Sequence, residues 1–542
     1  MMLEALAPLL FLAVPLLPVV LLPVLVHAPR LQALAPWVPA SALALLPLQG
    51  VTVDFPWLLL GARVGLDPTF TPLLLLATVT WTLAGWHARR RQQGANAGRF
   101  WFFWLATWCG NLCVVLTQDA ASFYAAYGMM TFAAWGLVVH EQRPADFHAG
   151  RVYLVMALIG EAMFLAALLA IGAQAGNIDL SVGTTALAEL HGAGWISALL
   201  TVGFAVKMGV LGLHMWLPLA HPQAPVPASA VLSGVILKAG LAGWLVFLPL
   251  GAEGFAAVGT GLAAAGLITA FFGVGVGLCQ DRPKVLLAYS SVSQMGWITL
   301  AVGMALREPA VAPALTAAAV LFALHHGLAK AALFVGVDTA AHAPRLARAL
   351  LWLPAASLAG LPLTSGLLAK TALKSGLPAD AAGLLEPLLF AASVGTVLLL
   401  ARFLYCAWPT GGTRGDAALA APWLALIAAS LLMPWGWAIL AEPEWIARAF
   451  TAAYLADVAV PLLAGGVIAV AASWLGRTAP KIAPGDALLL LPEFRRPPLP
   501  EIEWPKSLPS LRKLVAAEHR LLAPSVALVF WLSLMAVLFL AL

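Results

Sequence analysis

Long apolar stretches recur along this whole chain and constrain its fold more than any other feature. An α-helix needs about 20 apolar residues to cross the hydrocarbon core of a bilayer. Such stretches alternate here with short polar or Pro- and Gly-containing segments. The chain is 62% hydrophobic and 10% charged, with a mean hydropathy of +0.93, so it could not hide its apolar surface in water. We therefore predict a multi-pass membrane protein.

The apolar pattern predicts about 16 membrane-spanning helices. The runs 256–278 and 523–542 are apolar on every face, which excludes the alternating strands of an outer-membrane barrel. Residues 5–27 lack the basic start and the cleavage site of a signal peptide, so we interpret them as a retained first helix. The predicted spans are 5–27, 33–49, 68–87, 99–117, 119–140, 151–173, 193–218, 226–248, 254–278, 286–305, 311–337, 349–373, 384–407, 418–440, 452–475 and 523–541.

Basic residues are distributed unevenly between the two sets of alternate loops. One set holds 21 Lys and Arg residues, and the other holds only Arg63, Arg307, Lys374 and Arg448. Because cytoplasmic loops carry the excess of positive charge, we predict that the first set is cytoplasmic, that both termini lie on the far side, and that the membrane is a bacterial inner membrane. The net charge of +5 is then explained by topology, without nucleic-acid binding.

The cysteine and glycine patterns point to no redox centre within this chain. Cys109, Cys113, Cys279 and Cys406 form no CxxC pair, so we predict neither a disulfide framework nor a metal cluster. We find no glycine-rich nucleotide motif after a strand and no haem-ligand motif. We therefore predict no cofactor and no catalytic centre, and any electron transfer would belong to partner subunits.

Four lysines fall well inside apolar spans: Lys207, Lys238, Lys330 and Lys370. An ionisable side chain at mid-bilayer costs at least about 2.5–3.5 kcal/mol, so it persists only beside a partner, a protein interior or water. A lysine near the end of a span can instead extend its amine to the membrane surface, which could explain one such residue but not all four. An interior lysine that gains or loses a proton as nearby charge changes suits a proton relay.

Histidines accompany two of these lysines. His326 precedes Lys330 by four residues, which places both on one helix face, and His325 is adjacent. His214 follows Lys207 by seven residues and would share its face in a continuous helix. Imidazole can carry a proton near neutral pH, so we include the three histidines in the predicted relay.

Prolines predict breaks in two spans. Pro218, Pro222, Pro225 and Pro227 follow Lys207, and Pro362 precedes Lys370. Broken helices are where transporters place ion sites, often in inverted repeats. We predict four regions: N-terminal helices (1–98), a first five-helix repeat (99–248), a second five-helix repeat (249–408), and C-terminal helices with a cytoplasmic linker at 477–522 (409–542).

Several motifs then give the chain a family resemblance. The segment Lys207–Gly240 reads KMGVLGLHMWLPLAHPQAPVPASAVLSGVILKAG, which resembles the most diagnostic stretch of the antiporter-like, proton-conducting subunits of respiratory complex I, membrane-bound hydrogenases and Mrp-type cation/proton antiporters. Further matches follow in family order: DRPKVLLAYSSVSQMG (Asp281–Gly296), HHGLAKAALF (His325–Phe334) and SLAGLPLTSGLLAK (Ser357–Lys370).

The resemblance implies a fold and a function. The expected fold is an all-α integral membrane protein of about 14–16 transmembrane helices, with two inverted five-helix repeats and broken helices. The expected function is proton translocation along a mid-membrane line of Lys, His and Glu residues. The four lysines fill the family's lysine positions, and His325 and His326 fall where the two half-channels meet.

One departure concerns the acid. The family carries a glutamate on the fifth helix that pairs with the lysine of the seventh, and here Gly128 or Met129 stands at that place. The nearest intramembrane acid is Glu161 on the next predicted span. We interpret Glu161 as the counter-ion of Lys207. The other interpretation is that the first half-channel has been lost and the subunit is a scaffold.

Several functions remain open within this resemblance. The leading hypothesis is a proton-translocating subunit of a complex I-like or hydrogenase-like membrane complex, with other membrane subunits as partners. The alternatives are Mrp-like sodium/proton exchange, proton-coupled uptake of inorganic carbon, and the scaffold. An independent quinone-binding enzyme is the least favoured, since interfacial belts and packing explain the 21 tryptophans.

Overall fold

The computed structural model describes residues 2–27, 30–59, 61–94, 96–175, 187–342, 344–408 and 419–474. The linker 477–522 and the predicted last span lie outside these ranges. We number the helices in chain order: α1 (Met2–His27), α2 (Thr71–Arg91), α3 (Ala97–Leu116), α4 (Ala120–Val138), α5 (Pro144–Ala175), α6 (Ala193–Met208), α7 (Trp216–Gln223), α8 (Val226–Val231), α9 (Lys238–Phe247), α10 (Ala256–Leu278), α11 (Pro283–Arg307), α12 (Ala312–His342), α13 (Pro344–Leu350), α14 (Trp352–Ala359), α15 (Ser365–Ser375), α16 (Ala379–Ala407), α17 (Ala420–Ala441), α18 (Pro443–Ala449) and α19 (Ala452–Trp474).

Shorter elements connect these helices. A long 3₁₀ helix, Leu31–Leu48, replaces the second predicted span and contains Pro36, Pro39 and Pro47, which lack the N–H donors of a regular α-helix. Two further 3₁₀ turns, Pro68–Phe70 and Pro309–Val311, precede α2 and α12. Within the described ranges the only strands are β1 (Thr52–Phe55) and β2 (Ala62–Gly65), an antiparallel hairpin that the sequence analysis did not predict.

Most predicted spans correspond to long helices. Among the described residues, twelve helices are long and apolar enough to cross a membrane by length and composition. Three other predicted spans correspond to α4, to α6 and to the split helix α13–α15. In α11 every residue of the most apolar 18-residue window is buried, whereas only 17% of that window is buried in α19. The centre of the bundle is therefore α11 with α12, and α19 lies at its edge.

Small residues bring the central helices close together. A Cβ on Gly266 of α10 would stand 2.5 Å from the backbone nitrogen of Leu300 on α11, and one on Gly296 would stand 2.5 Å from the backbone nitrogen of Ala270. Such glycines let two membrane helices approach at backbone distance. This contact fixes α11, which carries several of the polar groups described below.

Both predicted helix breaks are present. Helix α6 ends at Gly209, with φ of 72° and its N–H bonded to Ala205 and Val206 carbonyls. Helix α14 ends in the same way at Gly360, with φ of 97°. A glycine in the left-handed region is the usual end of an α-helix, because other residues are strained there. Each break falls in the fourth helix of a predicted five-helix block, while the boundaries of the repeats stay a prediction.

Candidate functional site

All four intramembrane lysines are buried inside the bundle. The residues Lys207, Lys238 and Lys370 are 3% exposed, and Lys330 is fully buried. An amine that reached the membrane surface would leave its residue more exposed than this. The four side chains therefore need partners in the protein interior.

The amine of Lys207 contacts helix α4. Its Nζ donates a hydrogen bond of 2.7 Å to Thr131 Oγ1 and lies 4.9 Å from the centre of the Tyr127 ring and 5.6 Å from that of Tyr153. A hydroxyl oxygen and two aromatic faces can together hold an ammonium group.

The carboxylate of Glu161 lies in the same region. Glu161 is 5% exposed, and its Oε1 has no hydrogen-bond partner within the described part of the chain. Its Oε2 lies 4.0 Å from the point where a Cβ on Gly128 would stand, and its charge acts on Lys207. The acid and the amine thus converge on one stretch of α4, residues 127–131.

The amine of Lys238 directly contacts a histidine. Its Nζ lies 2.8 Å from His326 Nδ1 and 2.7 Å from the carbonyl oxygen of Ser233. That carbonyl belongs to a single π-helical turn, Leu232–Ile236, just before the lysine; such turns often mark functional sites. An ammonium group can only donate hydrogen bonds. When Lys238 is protonated, His326 Nδ1 is therefore the acceptor of this bond.

A chain of hydroxyl and carbonyl groups joins Lys238 to Lys330. Ser233 Oγ lies 2.7 Å from Ser291 Oγ, which donates to the carbonyl of Leu287. Lys330 Nζ donates to the same carbonyl at 2.8 Å and also bonds Ser290 Oγ. The two lysines therefore share one buried polar network between α8–α9, α11 and α12.

The second break supports Lys370. Its Nζ donates a 2.7 Å hydrogen bond to the carbonyl of Ala359, at the end of α14, and lies 5.6 Å from the centre of the Trp297 ring. The carbonyl is free because the helix stops at Gly360. Nearby, His325 Nδ1 lies 2.8 Å from Ser365 Oγ, which donates to the carbonyl of Ser430.

His214 lies elsewhere than the spacing predicts. Because α6 ends before Gly209, His214 lies in the loop of the break and the seven-residue spacing no longer places it on the face of Lys207. It is 4% exposed and packs against Phe272, with 4.8 Å between ring centres. The assumption of a continuous helical face was wrong at this residue.

The sequence analysis missed a buried histidine. His221 on α7 is fully buried and packs on Phe334, and neither of its ring nitrogens has a hydrogen-bond partner among the described residues. The charges of Lys284, Lys330 and Lys238 all act on it. Its place seven residues after His214, in the same motif, was the available signal. The hydroxyl partners Thr131, Ser290 and Ser365 carried no signal, because Ser and Thr are common in membrane helices.

The described residues offer no metal site of the usual kind. Within those ranges no three His, Cys, Asp or Glu side chains converge as ligands would. The side chains around the four lysines described above are imidazoles, hydroxyls, aromatic rings and the Glu161 carboxylate.

Comparison with known proteins places this arrangement in a family. Residues 117–398, just over half of the chain, match the family described as NADH:quinone oxidoreductase/Mrp antiporter, TM. Hydrogenase-4 component B of Escherichia coli is 33% identical over 46% of this chain and 38% of its own length. NADH-ubiquinone oxidoreductase chain 4 of Gadus morhua is 31% identical over 53% of this chain and 63% of its own. The chain thus spans less than two thirds of either relative.

Solved structures confirm the predicted fold. A chain of the Mrp complex from Dietzia sp. DQ12-45-1b superposes with a TM-score of 0.73 at 21% identity, over 98% of this chain and 63% of that one. A chain of the membrane-bound sulfane sulfur reductase, an archaeal respiratory membrane complex, gives 0.70 at 21% identity, over 98% and 95%. The all-α antiporter-like membrane fold is therefore confirmed.

Proposed function

This chain belongs to the NADH:quinone oxidoreductase/Mrp antiporter family, and from that premise we propose that it is a proton-translocating subunit of a multisubunit complex in a bacterial inner membrane. The relay would comprise Glu161, Lys207, His214, Lys238, His325, His326, Lys330 and Lys370. The observation that carries the proposal is the row of four buried lysines, each held by interior acceptors.

The first step concerns Glu161 and Lys207. When the carboxylate faces the amine, it stabilises the ammonium form of Lys207 beside Thr131. If an event in a partner subunit draws the carboxylate away, the ammonium keeps only a neutral hydroxyl and two rings, and its proton becomes easier to release. The pairing therefore acts as the switch, and the direction of coupling is set by the partner.

The middle step concerns Lys238 and His326. Two cations 2.8 Å apart would repel strongly in a buried site, so the pair holds at most one excess proton. Its transfer from Nζ to Nδ1 converts ammonium and imidazole into amine and imidazolium, and the reverse transfer is equally available. Lys330 belongs to the polar network of Ser291 and Leu287, whose carbonyl accepts from both the serine and the amine and so anchors them without itself passing a proton.

The position of Glu161 on α5, instead of a glutamate on α4, explains how the first half-channel could remain intact. The family resemblance implies a glutamate at Gly128 or Met129, and Glu161 Oε2 lies 4.0 Å from the position of a Cβ on Gly128. The carboxylate from α5 thus reaches the space that a side chain from α4 would enter. This supports a functional first half-channel rather than a scaffold.

The interior groups favour protons over sodium. Sodium and other hard cations require several oxygen ligands, whereas the interior groups described here are mainly amines and imidazoles, with Glu161 as the acid beside Lys207. Four lysines would repel a metal cation but can each bind a proton. Proton movement in reconstituted vesicles without sodium, accelerated by a potassium ionophore, would distinguish the two.

The experiment is an exchange of acids in the purified complex, reconstituted in vesicles. We expect Glu161→Gln and Lys207→Ala each to abolish most proton translocation while the complex still assembles. We expect Glu161→Gln combined with Gly128→Glu to restore part of it, because the carboxylate returns to the same region. Gly128→Glu alone serves as the control for steric effects. Normal pumping by the two single variants would refute the proposal and favour the scaffold.

A further inference from the structure

A second titratable cluster lies at the ends of α2 and α12, apart from the four lysines. His87 Nε2 lies 2.9 Å from Asp338 Oδ2, and Arg91 Nε lies 3.1 Å from the same oxygen. His342 Nδ1 donates to the backbone carbonyl of Asp338 at 2.8 Å, and its Nε2 accepts from Arg91 at 3.2 Å. We call these four residues the α2–α12 cluster.

The cluster leads from the surface into the bundle. Side-chain exposure falls from 42% at Arg91 and 33% at His342 to 9% at Asp338 and zero at His87. Basic residues lie at both helix ends, Arg89 and Arg90 in the last turn of α2 and Arg345 shortly after α12, and the charge asymmetry assigns them to the cytoplasmic side. Side-chain exposure in the cluster thus decreases from the predicted cytoplasmic face toward the interior of the bundle.

Imidazole and carboxylate are arranged for directed proton transfer. One nitrogen of His87 faces Asp338, and the other, Nδ1, is buried without a hydrogen-bond partner among the described residues. Arg91 Nε pairs with the carboxylate at 3.1 Å, and His342 Nδ1 lies 3.6 Å from its other oxygen, Oδ1. A ring with one nitrogen on a nearly buried carboxylate and the other directed elsewhere in the interior can accept a proton on one side and release it on the other.

Charged groups continue from the cluster to the middle of the membrane. Asp338 acts electrostatically on Lys284, whose Nζ donates 2.5 Å to the carbonyl of Ala224 in the turn that follows α7. Lys284, Lys238 and Lys330 all act on His221. Electrostatic interactions therefore link the cluster to Lys284, and link Lys284 and the two central lysines to His221.

A nearby histidine gives a contrast. His140 lies in the loop after α4, outside the membrane-spanning helices, and burial together with Arg99 lowers its pKa to about 4. It stays neutral at physiological pH and has no carboxylate among its hydrogen-bond partners, which are Gln92 and the Arg99 that binds its carbonyl. His140 therefore lacks the imidazole–carboxylate hydrogen bond that His87 makes with Asp338.

We propose that His87 is a proton-carrying residue of the inlet from the predicted cytoplasmic face, with Asp338 as the group that loads and orients it. A proton from water binds the Asp338 carboxylate and passes to His87 Nε2, which regenerates the carboxylate and forms imidazolium. The proton on Nδ1 is then released toward the interior, which leaves neutral imidazole. This inference rests on the proposed function, since it supplies the protons that the lysine relay would move.

The test uses the assembled complex in vesicles with the predicted cytoplasmic face outward, and translocation is measured against external pH. The charged and titratable groups around Asp338 are His87 and Arg91 on α2, His342 on α12 and Lys284 on α11. We expect Asp338→Asn and His87→Gln to pump nearly normally at about pH 6. Above about pH 7, where proton capture limits the rate, their translocation rate should fall on the order of tenfold per pH unit. Asp338→Glu should restore the wild-type profile.

Controls separate an inlet from a structural contact. Asp380→Asn removes an ion-paired carboxylate at the opposite face, where Asp380 contacts Arg307 at 3.4 Å, and should leave the pH profile unchanged. Free imidazole should restore alkaline pumping to His87→Ala. A profile like that of wild type in Asp338→Asn, or an equal loss at every pH without rescue by imidazole, would overturn the inference. The proposed function would survive either result if Lys207→Ala and Glu161→Gln still abolished pumping.

Discussion

The two helix breaks hold their lysines by different means. Lys207 lies just before the first break and binds the hydroxyl of Thr131, with the Glu161 carboxylate near the same stretch of α4. Lys370 lies after the second break and binds the carbonyl of Ala359 that the break leaves free. Asp457, whose charge acts on Lys370, forms an ion pair with Lys374 one turn further on.

This difference means that the partner of Lys207 can move, whereas the partner of Lys370 is held in the backbone. A carboxylate can move away from Lys207, and its charge then changes the proton affinity of the amine. The carbonyl at Ala359 is part of the backbone and cannot leave without rearrangement of α14. Within the proposed function, the first break is therefore where a partner could act, and the second is a constant acceptor.

The largest expected effect concerns the acids near the two helix breaks. Glu161→Gln should lower proton translocation by about 10² to 10⁴, the usual contribution of a positioned proton-transfer group, whereas Asp457→Asn should change it by less than about threefold, as expected for a partly exposed ion pair. Translocation by the reconstituted complex measures both. Equal losses in the two variants would mean that the two breaks work in the same way.

The next effect concerns the rigidity of the breaks. A Cβ on Gly366 would stand only 1.7 Å from the carbonyl oxygen of Ser357, so Gly366→Ala must push α14 and α15 apart. We expect a loss of stability of about 2–3 kcal/mol. At Gly209 a Cβ would meet the end of the Leu217 side chain, and the cost of Gly209→Ala should be about 1–2 kcal/mol, mostly from backbone strain. Thermal inactivation of the purified complex compares them, and a more damaging Gly209→Ala would contradict a rigid second break.

A third effect tests the hydroxyl that accepts from Lys207, where Lys370 has a backbone carbonyl. Thr131→Val keeps the side-chain shape but removes the acceptor of the Lys207 amine. A hydrogen bond to a charged group contributes about 1.5–3 kcal/mol, so we expect translocation to fall by about tenfold to a hundredfold. Thr131→Ser keeps the oxygen and should behave like wild type. An unchanged rate in Thr131→Val would indicate that Glu161 alone supports the amine.

The smallest effect lies at the edge of the second break. Lys374→Gln removes the ion pair with Asp457, whose side chain is 41% exposed. Pairs of this kind contribute about 0–1 kcal/mol, so thermal stability should change by less than about 1 kcal/mol. A larger loss would show that α19 depends on this contact and that the second break has an acid of its own.

The relay residues could be found from sequence only where a charged residue lies within an apolar span. Lysines within apolar spans are costly, so Lys207, Lys238, Lys330, Lys370 and Glu161 were visible without any coordinates. His221 was passed over because a histidine in an apolar segment is most often a packing residue. His87 was invisible for another reason, since its partner Asp338 lies 251 residues away along the chain.

Sequence alone determined that the chain lies in a membrane, where most of its spans are and that two of them are broken. Apolar length, proline and glycine act locally along the chain. Only the tertiary structure decided which groups meet. It brought the Glu161 carboxylate beside Gly128, joined Lys238 to His326 and left His214 outside the face of Lys207. The reason is physical: a buried charge is stabilised by groups within a few ångströms, and helix packing, not sequence order, sets those distances.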